Sequence, residues 1–229
     1  MDSRFRGNDT GIERIEMSDL TDKLDSIAEE IRLSLSAKDA AREQVLPLCR
    51  EVIRYSSQAI RAVHRQEFDR TRELLKSARD LLNQAEQALT GAPEISNTGF
   101  LRDAQKEFAE GSLILSLVTG SPLHDPVELG VDPAAYLNGL GEAAGEVRRY
   151  LLDGIRKGDL SRGEEMLAAM DDIYNVLVTM DFPDAITGGL RRTTDMVRGV
   201  LERTRSDLTL VIRQQELEKK LGKFEGNIK

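Results

Sequence analysis

The chain has 229 residues, of which 40% are hydrophobic, 31% are charged and only 4% are aromatic, and its formal net charge is −8. This composition excludes a disordered chain, and the acidic charge argues against a protein that coats DNA nonspecifically. The single cysteine excludes an internal disulfide and a multi-cysteine zinc site, and the lack of a secretory signal or an apolar run of roughly 18–20 residues predicts a cytoplasmic protein without a membrane partner.

Helical periodicity of the apolar residues organises the chain into one predicted domain between two tails. Residues 1–16 lack this periodicity and are predicted to be a disordered tail or a mis-called start, since Met17 offers an alternative start. Apolar residues at helical spacing begin at Leu20, which predicts a single all-α domain over residues 17–222 and a short tail over residues 223–229.

The predicted helices are separated by glycine and proline residues. In the first helix a kink or a new start is expected at Pro47, because proline removes one backbone donor. A second helix ends before Gly91, and later helices are predicted over about residues 97–119, 134–156, 161–179 and from 190 to about 220. Asp132 before Pro133 is a strong start signal for the fourth helix. Apolar alternation of period two is absent, so the prediction is all-α with six or seven helices.

Three acidic side chains share one face of the third predicted helix. Asp103, Glu107 and Glu110 line up at spacings of three and four residues, in a stripe that is apolar at both ends. A charge there is costly unless it is paired or binds a cation, so the group is typical of a hard-metal site for magnesium. On a helical wheel Arg102 and Lys106 point away from this stripe, which weakens the alternative of a solvated acidic face with basic partners. A diiron site is disfavoured, since neither histidine stands three residues after a glutamate.

Two further groups of polar residues carry weaker signals. Asp171, Asp172 and Asn175 lie off the apolar face of the fifth helix, which is typical of an ordinary wet face unless the fold brings it to the acidic stripe. On the glycine-rich fourth helix, Glu146-Val147-Arg148-Arg149 indicates either an ion-pair network or a phosphate contact, with equal weight.

The order of these segments resembles that of the translin–TRAX family over about residues 20–210. No single motif is decisive, but the ordered set is fairly specific. The matching segments are Arg50-Glu51-Val52-Ile53-Arg54 with Ile60-Arg61-Ala62-Val63-His64-Arg65, Ala104-Gln105-Lys106-Glu107-Phe108-Ala109-Glu110, Tyr136-Leu137-Asn138-Gly139-Leu140 with Gly145-Glu146-Val147-Arg148-Arg149, Leu160 to Leu177, and Leu190-Arg191-Arg192 with Arg203-Thr204-Arg205-Ser206-Asp207-Leu208.

The resemblance implies a seven-helix translin-type bundle with long antiparallel helices, which forms a homo-oligomer, an octamer in that family, and binds single-stranded RNA or DNA. TRAX-like subunits of the family carry a Glu-x-x-Glu pair and a later Asp, and they act as magnesium-dependent endoribonucleases. Glu107 and Glu110 match that pair, so the chain resembles a TRAX-like subunit of the prokaryotic or archaeal type. Asn175 stands where the later Asp is expected, and Asp171 or Asp172, one turn earlier, would then have to compensate.

These observations define a predicted site and three hypotheses. The resemblance assigns catalysis to Glu107, Glu110 and Asn175, and a Mg²⁺ or Mn²⁺ ion to Glu107, Glu110 and Asp172. The arginines expected to steer backbone phosphates are Arg61, Arg65, Arg148 and Arg149. The chain is then a magnesium-dependent endoribonuclease that cleaves single-stranded RNA, a noncatalytic oligomer that binds single-stranded RNA or DNA, or a purely structural helical oligomer.

Overall fold

The computed structural model describes residues 17–90 and 99–226, and every regular element within these ranges is a helix. The all-α prediction is therefore confirmed for the described chain. The elements are α1 (Met17–His64), α2 (Phe68–Ala88), α3 (Gly99–Thr119), α4 (Pro133–Arg156), α5 (Gly163–Val178), α6 (Asp184–Thr187) and α7 (Leu190–Gly226). The predicted N-terminal tail lies outside the described residues, and α7 continues past the predicted domain boundary at residue 222.

Two predicted helix starts can be compared with the structure. Asp132 caps α4 as expected, because its carboxylate accepts hydrogen bonds from the backbone N–H groups of Ala134 at 2.9 Å and Ala135 at 3.3 Å. Pro47, in contrast, lies inside a continuous α1 and does not begin a new helix. The buried side chains of Val45 and Cys49 hold the chain against the core on both sides of the proline, which offsets the lost hydrogen bond.

The first three helices establish the direction of the bundle. α1 and α2 form an antiparallel hairpin through a turn in which Gln66 has a φ of 62°. Leu75 of α2 packs at Gly111 of α3, whereas Glu86, further along α2, accepts a hydrogen bond from Gln105, nearer the start of α3. α2 is therefore antiparallel to α3, and α1 runs in the same direction as α3.

α4 and α7 also run in this direction. The loop over residues 120–132 returns to the start of α3, where the backbone N–H of Asp132 donates to Gln105 Oε1 at 3.3 Å. The side-chain pairs Asn138–Thr193 and Arg148–Asp207 advance together along α4 and α7, so these two helices are parallel. α5 packs against both of these helices and runs in the opposite direction. As a result, the start of α1 and the end of α7 lie at opposite ends of the bundle.

α3 is the central helix of the bundle. It packs against α1, α2 and α4, and the side chains of Leu113 and Ile114 are fully buried there. Apolar residues of all the long helices join this single core. No helix within the described ranges is long and apolar enough to cross a membrane.

Candidate metal centre

Three carboxylates converge where α3 crosses α4. Glu107 and Glu110 of α3 meet Glu142 of α4, and each offers a carboxylate oxygen such that the three atoms lie within 4.8 Å of one another. Glu110 is buried, with 8% of its surface exposed, and the other two are half-buried. Three hard oxygen donors at this separation are of the kind that Mg²⁺ or Mn²⁺ takes, whereas zinc and copper sites more often contain nitrogen or sulfur ligands.

Gly139 makes the close crossing of α3 and α4 possible. A Cβ atom at this position would lie 2.7 Å from the backbone oxygen of Lys106 and 3.1 Å from the backbone nitrogen of Glu110. No side chain fits in that space, so the two helices approach each other through glycine. Glu142, one turn after Gly139, is thereby brought over the pair on α3.

Burial and the neighbouring acids oppose ionisation of the two acids on α3, Glu107 and Glu110. Burial, followed by the charges of Glu142, Glu107 and Glu146, raises the pKa of Glu110 from 4.5 to about 8. Burial also raises the pKa of Glu107, against the opposing charge of Lys106. At neutral pH Glu110 therefore keeps its proton unless additional positive charge enters the site. A divalent cation would supply that charge.

Lys106 supplies part of the positive charge. Its Nζ atom lies 2.7 Å from Glu142 Oε1 and 3.6 Å from Glu107 Oε1. Burial lowers the pKa of Lys106, but the hydrogen bond and charge of Glu142 outweigh this effect and the net shift is upward. The expectation that Lys106 points away from the acidic stripe is wrong, because a wheel records Cα directions and the long lysine side chain reaches sideways to α4.

A second layer of charged groups adjoins the three carboxylates. Glu146, one turn after Glu142, contacts His64 Nε2 at the end of α1 and lies 3.6 Å from Arg149 Nη1. The hydrogen bond from His64 is the main cause that lowers the pKa of Glu146, so this acid is ionised where Glu110 is not. His64 Nδ1 is buried and has no hydrogen-bond partner within the described residues. The sequence of this segment allowed an ion-pair network or a phosphate contact, and the contacts of Glu146 are those of an ion-pair network.

The four predicted arginines fall into two classes. Arg148 donates to Thr204 Oγ1 at 3.0 Å and to Asp207 Oδ2 at 2.7 Å, so it ties α4 to α7 and its guanidinium is already paired. Arg61, Arg65 and Arg149 are exposed around the His64–Glu146 pair.

The second acidic group of the sequence does not join the three carboxylates. Asp172 and Asn175 are exposed on α5, and Asp171 binds Arg205 of α7 at 2.9 Å. The structure does not bring Asp172 to Glu107 and Glu110. The third carboxylate beside that pair is Glu142, because α4 packs against α3, whereas α5 packs mainly against α4 and α7. Asp103 is exposed and also lies outside the group.

Solved structures that resemble the chain in sequence and fold identify its family. No family model matches the chain. The crystal structure of AfC3PO is 35% identical, with a TM-score of 0.74, and the match covers 82% of this chain and 97% of that one. The chain belongs to the translin family. The structure of an AfC3PO–duplex RNA complex is 34% identical, with a TM-score of 0.73 and the same coverage of both chains.

Two more distant proteins also resemble the chain. An uncharacterised protein of Methanocaldococcus jannaschii is 28% identical over 193 residues, which are 83% of this chain and 85% of that protein. Apo-NeC3PO is 18% identical, with a TM-score of 0.70, and the match covers 82% of this chain and 96% of that one. At that identity the likeness concerns the fold alone.

Proposed function

We propose that this protein is a TRAX-like subunit and a divalent-metal-dependent endoribonuclease. The observation that carries the proposal is the meeting of Glu107, Glu110 and Glu142 around one point, with Glu110 buried and protonated in the absence of a cation. Carboxylates placed at this cost are typical of a functional site. The RNA complex of AfC3PO supports RNA as the substrate class.

The roles of the side chains follow from their positions. Glu107, Glu110 and Glu142 would hold Mg²⁺ or Mn²⁺, and the ion, when bound, would activate water and stabilise charge at the scissile phosphate. Lys106 balances the charge of Glu142 and Glu107 from the side. The exposed arginines 61, 65 and 149 would hold the flanking phosphates of the strand by charge.

The substrate form is part of the proposal. The family resemblance favours single-stranded RNA and a homo-oligomer, with an octamer as the assembly. The structure of the related AfC3PO with RNA, however, is a complex with duplex RNA. The decisive experiment therefore offers both forms of RNA to the same protein.

The first prediction is loss of metal-dependent cleavage in three variants. Glu107→Ala, Glu110→Ala and Glu142→Ala are each expected to cut end-labelled RNA at least roughly 100-fold more slowly in Mg²⁺ or Mn²⁺, since ion-assisted charge stabilisation contributes several kcal/mol. EDTA is expected to stop the wild-type protein. Asp103→Ala removes the same charge from an exposed site on α3 and is expected to stay active. Equal cleavage by the wild type, the three glutamate variants and Asp103→Ala would refute the proposal.

A noncatalytic protein that binds single-stranded RNA or DNA is the alternative, and Asn175 favours it because an Asp is expected there in active subunits. The variant Asn175→Asp separates the two functions. If Glu142 completes the metal site, the extra carboxylate on α5 is expected to change the cleavage rate less than about twofold, as for a surface substitution. A chain that binds RNA in a salt-sensitive way, cleaves none of it, and gains cleavage only with Asn175→Asp would establish the alternative.

A further inference from the structure

The first part of α1 is an apolar helix surface with no partner in the described chain. Residues 19–35 of α1 are here named the arm. They carry six large apolar side chains that are between 39% and 65% exposed, and the first fully buried residue of α1 is Val45. Four of them recur at the three- and four-residue spacing of a coiled-coil seam. These four are Leu20, Leu24, Ile27 and Ile31.

The last part of α7 carries a second surface of the same kind. In residues 210–224, here named the tail, four large apolar side chains are exposed, by 69% at Leu210, 57% at Leu217, 54% at Leu221 and 67% at Phe224. Their spacing also follows a coiled-coil seam, with Gln214 at the intervening position. At 1.5 Å per residue, the arm is about 25 Å long and the tail is about 22 Å long.

The topology prevents arm and tail from meeting within one chain. α1 and α7 run in the same direction, so the arm leaves one end of the bundle and the tail leaves the other. A second copy placed end to end in the same orientation brings its tail beside the arm of the first. The two helices are then parallel, as in a parallel coiled coil.

Charge distinguishes this contact from a contact between two arms. The arm contains five acidic and two basic side chains, namely Asp19, Asp22, Asp25, Glu29 and Glu30 with Lys23 and Arg32. Residues 213–223 of the tail contain four basic and two acidic side chains, namely Arg213, Lys219, Lys220 and Lys223 with Glu216 and Glu218. Two arms would repel each other, whereas an arm and a tail attract.

We propose that the arm of one copy docks on the tail of a second copy as a parallel two-helix contact. One register pairs three apolar positions of the two seams: Leu20 meets Leu210, Ile27 meets Leu217, and Ile31 meets Leu221, while Leu24 meets Gln214. Each copy uses one surface at each end, so the contact is head-to-tail and continues from copy to copy. The proposal does not depend on catalysis.

Disulfide trapping in the full chain tests the register. The double variant Ile27→Cys/Leu217→Cys is expected to form covalent multimers under mild oxidation, while each single variant stays monomeric on a non-reducing gel. Ile27→Cys/Leu210→Cys places the two thiols about 10 Å apart along the helices and is expected to trap far less. Cys49 is 2% exposed, and burial raises its pKa to about 11, so it does not compete.

The mass of the assembly in solution gives an independent readout. Ile27→Glu is expected to lower the mass measured by light scattering at least twofold. Leu33→Glu is the matched control, because Leu33 is 65% exposed but lies off the seam, and it is expected to keep the wild-type mass. Trapping in the Ile27→Cys single variant would show arm on arm, and a double variant that stays monomeric, with or without an internal disulfide, would show no such contact; either result overturns the proposal.

Discussion

At pH 8 and above, the metal-free Glu110→Gln protein is expected to be more stable than the wild type. Its free energy of unfolding should be higher by up to about 5 kcal/mol. Burial and the neighbouring acids raise the pKa of Glu110 from 4.5 to about 8 in the folded protein. Between these two values the folded state binds a proton that the unfolded state has lost, so the stability of the wild type falls as the pH rises from 4.5 to about 8. Glutamine has no proton to lose and removes this decline.

The measurement is urea unfolding in EDTA at several values between pH 4.5 and pH 9. The difference between the two proteins isolates Glu110, because the raised pKa of Glu107 and the lowered pKa of Glu146 are present in both. Asp103→Asn, at an exposed position on the same helix, serves as the control and is expected to follow the wild type. A difference between Glu110→Gln and wild type that does not change with pH would contradict the burial of an ionisable Glu110.

A divalent cation is expected to reduce the difference in stability between the two proteins. Mg²⁺ or Mn²⁺ bound only to the folded state stabilises it by mass action and favours the ionised form of Glu110. The wild type is therefore expected to gain stability from the metal at pH 8, and Glu110→Gln to gain little. This exchange of stability for metal binding is the behaviour expected of acids that are held together for function.

The sequence predicts the α3 half of the candidate site and misses the half on α4. Glu107 and Glu110 are three residues apart on one helix, so their common face follows from local geometry alone. Glu142 joins them only because α4 crosses α3, which is a contact between distant parts of the chain. The available signal was the Glu142–Glu146 spacing of four on a helix otherwise rich in glycine and alanine.

For the fold, the sequence predicts the individual helices but not how they pack against one another. Apolar periodicity predicts the helices, and Asp132 with Pro133 predicts the start of α4, since both depend on neighbouring residues. The parallel arrangement of α3 and α4 depends on the path of the loop over residues 120–132, which no local pattern specifies. The position of Asp172 is not predictable for the same reason, because the helices that α5 packs against are determined by contacts between distant parts of the chain.

The crossing of α3 and α4 leads to the second large effect, which is expected for Gly139→Ala. The new methyl group would lie 2.7 Å from a backbone oxygen and 3.1 Å from a backbone nitrogen of α3, and neither atom can move without moving the helix. Overpacking of this kind typically costs about 1–3 kcal/mol, and contact with backbone places this site at or above the upper end. Because α4 must shift away from α3, Glu142 leaves the pair, and metal-dependent cleavage should fall as far as in Glu142→Ala.

Gly145→Ala on the same helix provides the matched control. Nothing lies within 4 Å of a Cβ atom at this position, so the substitution meets no neighbour. Alanine is also favoured over glycine inside a helix by about 0.5–1 kcal/mol, and the variant should be as stable as the wild type or more so, with unchanged cleavage. Thermal unfolding and RNA cleavage of both variants check the pair. If Gly139→Ala resembles Gly145→Ala in both measurements, the carboxylates are not held together by the close approach of α3 and α4.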